Sequence, residues 1–263
     1  MFLGLYKILH DDKKDEKLRI DSPIIIQDDK SKVEISKDGK VKIYAENEEK
    51  IYTLWRIAQT AIRRASLWMS FNLSKVEIEN LETGEKVSPR IYGDLTIGSF
   101  RIDHTKCAST IKTLLYTDSE PLQFLTLATD LLARYTEPSS LSALTALELK
   151  LNEIIPDDRL QVRQKLAVLR YLNALPPESM VKLERLFTLR NKLAHGNWKG
   201  NKIKKALLDL LGGDTSDWFI GPGRLNQDAA SRVLEEVISA IGFLSACKTA
   251  TKNHCTHRGR LPD

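Results

Sequence analysis

The sequence is poor in cysteine. Three of its 263 residues are cysteines, at Cys107, Cys247 and Cys255, an odd number without a tight pairing pattern. This is not the sequence of a disulfide scaffold, and a reducing compartment is expected. Long apolar runs are absent as well: the greasiest segments are broken by Arg, Asp or Glu every few residues, which excludes a membrane-spanning helix and membrane partners of that kind. The opening "MFLGLYKILHDDKKDEK" is too short in its apolar part and too acidic after it for a secretion signal, so cytoplasmic residence is expected. No internal repeat is present.

Several chemistries lack their parts. "GGDTSDWFIGPGR" is rich in glycine but has neither the lysine nor the spacing of a phosphate loop, and reads as a connection that covers a cleft. In "FRIDHTKC", His104 lies near Asp103 and Cys107, yet the glycine elbow of a nucleophile is missing. The tail "CKTATKNHCTHRGR" gathers Cys247, His254, Cys255 and His257. A zinc site wants two well-spaced ligand pairs, and His-Cys-x-His crowds three donors into four residues, so a basic, mobile tail is expected instead. No cofactor is implied, and no metal site.

What the chain does have is charge in the right density for a water-exposed globular protein, 29% charged against 42% hydrophobic residues. The net charge of +5 says less than its distribution. Between Lys182 and Lys205 stand Lys182, Arg185, Arg190, Lys192, Lys199, Lys202, Lys204 and Lys205 against the single acid Glu184. Such a patch attracts polyanions through phosphate contacts and counterion release, although a run of charge is also the usual solvated helix face.

Two rhythms divide the chain, at about residue 115. In residues 1–115, "SPIIIQD" and "SKVEISKDGKVKIYAE" are short β-branched runs, the second with an Asp38-Gly39 turn between alternating segments that predicts a hairpin. Glu48 to Phe71 has helical spacing, with Arg56, Arg63 and Arg64 expected on a solvated face. "KVEIENLETGEKVSPRIYGDL" predicts strand, turn at Thr83-Gly84, and strand. The fold class is therefore α+β, a small strand/helix module followed by an all-α antiparallel bundle over residues 116–263. There the expected helices are "EPLQFLTLATDLLARY", "SSLSALTALELKLNEII" capped by its serines, Asp157 to Leu175, a fourth from Pro177 or Glu178 up to Gly196, and a last one from Asn226 to Thr249.

The fourth helix ends in "LRNKLAHG", Leu189 to Gly196. Its polar residues interrupt the stripe Met180, Leu183, Leu186/Phe187, and an arginine that close to a core needs a partner or a wet cleft. Asn191 and His195 are four apart and share a face, whereas Arg190 is about 140° from His195 on an ideal helix. Gly196 permits the bend that would bring them together. A histidine there can serve as general acid or base, and an arginine can hold a phosphate and oppose charge developing on it. On spacing alone, a helix cap and a surface charge account for the same residues.

The segment "RNKLAH", Arg190 to His195, resembles the arginine, four to six residues, histidine motif of HEPN domains. The polar residue after the arginine, the apolar "LA" before the histidine and the following glycine match too, and residues 120–250 look like the all-helical HEPN bundle. The resemblance covers about half the chain. It implies a metal-independent endoribonuclease that attacks through the RNA 2′-hydroxyl, acts as a homodimer, and serves phage defence or a toxin system with an antitoxin or defence-system partner. Arg190 would then be the phosphate and transition-state ligand, His195 the acid or base, and Asn191 the residue that positions one of them. RNA would be held by Lys192, Lys199, Lys202, Lys204 and Lys205, with Trp198 either stacking on a base or packing its loop. "HGN" stands where HEPN toxins paired with nucleotidyltransferase antitoxins have His-x-Tyr, so control by modifying that tyrosine is not expected. The alternative is a non-catalytic HEPN-like sensor or scaffold that binds nucleic acid; a nucleotide-binding regulator lacks a visible purine pocket.

Overall fold

A computed structural model gives the fold and describes residues 1–8, 19–20, 22–66, 73–87, 101–115, 117, 119–195, 201–212, 218–219 and 225–257. The chain is α+β and divides into two compact units, Met1–Leu115 and Tyr116–Asp263.

The first unit is built on a six-stranded sheet. Its strands are β1 (Phe2–Ile8), β3 (Ile24–Gln27), β4 (Lys32–Ile35), β5 (Lys40–Ala45), β6 (Leu73–Asn80) and β7 (Lys86–Val87), in the order β3-β4-β5-β1-β6-β7. All neighbouring pairs are antiparallel. β2 (Arg19–Ile20) and β8 (Arg101–Ile102) form a separate parallel pair. Period-two alternation buries Val33 and Ile35 on β4 and Val41, Ile43 and Ala45 on β5, which fixes the register at Ile35↔Val41. Gly39 and Gly84 close the two predicted turns at φ 77° and 69°, the left-handed region that glycine enters without steric cost.

Helix α1 (Glu48–Ala65) covers the apolar sheet face, and α2 (His104–Leu114) packs on α1 and β3. Asn47 caps α1, its Oδ1 accepting the Lys50 N–H at 2.8 Å. Where α1 crosses β1 only glycine fits: a Cβ on Gly4 would stand 2.8 Å from Ile51 Cγ2.

Two expectations for this unit need correction, and one strand was not expected. The helix stops at Ala65, where the Ser66 hydroxyl donates to the Ile62 carbonyl at 2.8 Å; residues 67–71 lie outside the described residues. Arg63 is not on a solvated face but only 5% exposed, and Arg64 Nη1 donates to Thr110 Oγ1 at 2.8 Å. The apolar opening of the chain, read only as too short for a signal, is the strand β1.

The second unit holds α3 (Ser119–Leu131), α4 (Thr136–Ile154), α5 (Val162–Tyr171), α6 (Pro177–Ala194), α7 (Asn201–Leu211) and α8 (Gln227–His257). α4 is the hub, touching α3, α5, α6 and α8. Ala143, Ala146 and Ser139 on it are small and buried, which lets neighbouring backbones approach while Leu144, Leu147 and Leu151 fill the layers between them. Ser139 Oγ donates to the Ala128 carbonyl at 2.6 Å and so ties α4 to α3. The expected serine cap is therefore mistaken: α4 begins a turn earlier, at Thr136, and the serines lie inside it. At that start, Thr136 Oγ1 donates to the Leu225 carbonyl at 2.7 Å and Glu137 Oε1 accepts the Leu225 N–H at 2.9 Å. α4 and α8 thus set out from the same end of the bundle.

Other boundaries shift for local reasons. α5 spans less than the predicted Asp157–Leu175: Asp157 binds Arg159 in a turn, the Gln161 N–H donates to Gln164 Oε1 at 2.8 Å where the helix starts, and Asn173 at φ 48° leads out of the helix. α7 fills a stretch read as a basic run, and α8 continues past Thr249 to His257, through the tail expected to be mobile. Among the described residues no helix is long and apolar enough to cross a membrane.

Candidate active site on helix α6

Helix α6 begins with Pro177, whose missing N–H costs nothing in a first turn, followed by Glu178 at the positive end of the helix. Met180, Leu183, Leu186, Phe187, Leu189 and Leu193 are buried, so the helix is anchored along nearly its whole length. The motif occupies its last turn.

Arg190 turns toward α4. Its Nη2 stands 2.6 Å from Glu148 Oε2, with the two side chains 32% and 24% exposed. Its Nη1 donates to Asn191 Oδ1 at 3.3 Å. A half-buried guanidinium is thereby charge-paired and fixed in direction, and the rest of its five N–H donors remain available to a ligand. This is the partner that an arginine beside the α6 stripe demanded.

His195 is the residue after the last helical one, at φ −85° and ψ 8°, its N–H donating to the Asn191 carbonyl at 3.2 Å. Its imidazole is exposed and has no side-chain hydrogen bond among the described residues. The structure thus joins Arg190 to Asn191 and leaves His195 accessible just beyond them. The bend expected at Gly196 lies outside the described residues, as do Trp198 and Lys199.

The basic patch is less uniform than its sequence. Lys182 Nζ is 2.6 Å from Glu236 Oε2 on α8, so both Lys182 and Arg190 are neutralised by carboxylates from other helices. Lys202, Lys204 and Lys205 are exposed on α7, whose opposite side buries Ile203, Ala206, Leu207 and Leu210. Lys204 Nζ lies 5.5 Å from the centre of the Phe219 ring, a cation–π contact. Lys192 is half-buried on α6.

Sequence reading missed a cleft of about 570 Å3 between α5 and α6. Arg163, Arg170, Glu184, Phe187, Thr188 and Asn191 line it, with Val162, Leu166 and Ala167. Arg170 Nη2 is hydrogen-bonded to Glu184 Oε1. Arg163 and Arg170 are seven apart and therefore on one helix face, a signal visible in the sequence, but they fall outside the Lys182–Lys205 window. Glu148 was equally hidden, since nothing in one sequence marks which acid of α4 meets Arg190.

The other candidates separate cleanly. The Cys107 thiol is buried, and that burial, helped by the Asp103 charge, pushes its pKa up to about 12, so it is no nucleophile. Asp103 caps α2 instead, its Oδ1 accepting the Lys106 N–H at 2.9 Å. Cys247 turns inward, donating its thiol to the Ala174 carbonyl at 2.9 Å, and burial raises its pKa. Among the described residues no group of three or more His, Cys, Asp or Glu could hold a metal ion; the side chains of His254, Cys255 and His257 lie outside them.

No family model matches the chain, and no curated protein or solved structure matches it either.

Proposed function

We propose that this chain is a metal-independent endoribonuclease of the HEPN type, working in phage defence or a toxin system. The observation that carries the reading is the end of α6: an exposed histidine directly beyond the helix, and one turn back an arginine clamped between Glu148 and Asn191. His195 takes the 2′-hydroxyl proton or protonates the leaving oxygen, and Arg190 bears on the phosphate as charge grows there. One histidine cannot do both jobs at once. Two copies of the chain facing each other across a twofold axis supply both, so the working form is a homodimer.

A second reading has its own observation. Arg190 is already neutralised by Glu148, and such a pair also suits a structural clamp in a non-catalytic, nucleic-acid-binding scaffold. Incubation with a mixed RNA pool in EDTA separates the two. The enzyme yields fragments ending in 2′,3′-cyclic phosphates, and His195→Ala slows their formation by ~100- to 10,000-fold while leaving circular dichroism unchanged. Equal cutting by wild type and variant removes His195 from the chemistry; no cutting by either, with added phage lysate as trigger, leaves the scaffold.

A further inference from the structure

The motif arginine is paired with Glu148, which weakens its hold on a phosphate approaching His195, so a second cation nearby would strengthen binding of the strand. The cleft between α5 and α6 offers one. The two helices run antiparallel, so the start of α5 lies beside the end of α6: Arg163 lines the cleft together with Thr188 and Asn191, while Arg170 lies further along with Glu184. We propose that Arg163 anchors the phosphate backbone of single-stranded RNA in this cleft, next to the motif; the choice of RNA rests on the ribonuclease reading above.

Four observations carry the assignment. Arg163, Ala167 and Arg170 are all exposed and repeat at helical spacing, so α5 turns a basic face into the cleft while Lys165, Leu166 and Leu169 are buried. Among the described residues Arg163 has no ion pair, whereas Arg170 is bound to Glu184 and Arg190 to Glu148. The unspent positive charge of the cleft is therefore concentrated at the end that Asn191 shares with the motif. Arginine suits the task, since its planar fork matches two phosphate oxygens.

The lining also fits what phosphate is attached to. Leu166 and Phe187 give an apolar floor, Thr188 and Asn191 polar groups for a base edge, and about 570 Å3 is within the range of ligand sites, enough for a nucleotide unit. Finally, Asn191 is common to both places: it lines the cleft and accepts from Arg190 at 3.3 Å. A strand anchored at Arg163 passes Asn191 on its way to His195. Arg163 is a binding residue here, and sequence distance alone separates it from the patch counted between Lys182 and Lys205.

The test uses the full chain and a fluorescein-labelled 2′-O-methyl RNA octamer, which lacks the hydroxyl needed for cleavage, with affinity read by anisotropy over a range of salt. Arg163→Glu is expected to weaken binding by about tenfold or more and to reduce the salt dependence by about one phosphate contact, a slope change of ~0.7. Arg163→Lys keeps the slope and recovers part of the affinity. Arg163 is exposed, so circular dichroism should match wild type. Affinity within twofold of wild type in Arg163→Glu overturns the proposal, as does failure of the wild type to bind, or displacement of the RNA by polyglutamate at equal charge concentration, which makes the cleft an acidic-peptide site. Cleavage of the all-ribose octamer is followed in parallel in EDTA. Cleavage with Arg163-independent binding ends this inference and keeps the ribonuclease; Arg163-dependent binding without cleavage does the reverse.

Discussion

Replacing Glu148 by glutamine would remove one charge from beside Arg190 and almost nothing else. Nη2 and Oε2 are 2.6 Å apart with the side chains 32% and 24% exposed, a pair neither buried nor free in solvent. With the charge centres ~4 Å apart and an effective dielectric near 20, the gross attraction is ~4 kcal/mol. Solvation of the separated ions returns most of that, and exposed pairs retain only ~0–1 kcal/mol. The glutamine carbonyl still accepts from the guanidinium, so a cost of about 1 kcal/mol is expected, a fall in Tm of ~2–4 °C for a chain of this size. Function should move the other way. With its counter-charge gone, Arg190 becomes a full cation at the site, so the octamer should bind more tightly and the slope of log affinity against log salt should steepen by ~0.7, one additional single-strand phosphate contact. Anisotropy titrations at four salt concentrations, with differential scanning fluorimetry alongside, read both quantities. An unchanged slope together with the expected loss of Tm would refute the reasoning: Glu148 and Arg190 would be a structural clamp that RNA never reaches.

Two further outcomes test the fold. Gly4→Ala puts a methyl 2.8 Å from both Ile51 Cγ2 and Tyr6 Cε2, where strand and helix cannot both stay put; a loss of ~1–3 kcal/mol in urea titration is expected, and an unchanged midpoint would mean that α1 does not lie on β1 as described. Burial holds the Cys107 thiol near 12 against an ordinary value of 9.0. The unfolded thiol ionises first, so its contribution to stability is complete below pH ~9 and is lost as pH rises toward 12. Cys107→Ala should flatten the fall in Tm above pH 9; parallel curves for wild type and variant would show that the thiol is not buried.

The legible parts of this chain are those where one local rule acts without opposition. The Asp38-Gly39 hairpin needed only alternation and a residue free to take φ 77°, and α6 needed only Pro177 and a steady apolar stripe. β1 was illegible because its partners are some forty and seventy residues away, and no local pattern announces them. The serines of α4 have capping chemistry, but one of them bonds the Ala128 carbonyl of another helix, a use that depends on packing. α7 was hidden by its lysines, which disguise the spacing of Ile203, Ala206, Leu207 and Leu210. At the site, the motif and its helix end could be read directly. The pairing of Arg190 with Glu148, and the cleft that Arg163 and Asn191 both line, exist only once α4, α5 and α6 are assembled.

The place of β1 in its sheet has a consequence for how the chain is made. β1 needs β5 on one side and β6 on the other, and both are synthesised after it, β6 beginning only at Leu73. At a synthesis rate of ~5–20 residues per second, β1 waits roughly 3–13 s with one edge or both unpaired. Through that interval "FLGLYKI" is a short strand-former with a single charge and no proline, the kind of segment that joins edges with whatever is nearby, including the same strand on a neighbouring nascent chain. Translation speed over residues 45–80 therefore bears on yield, and slowing it should send more of the protein into aggregates before the second unit has begun to emerge.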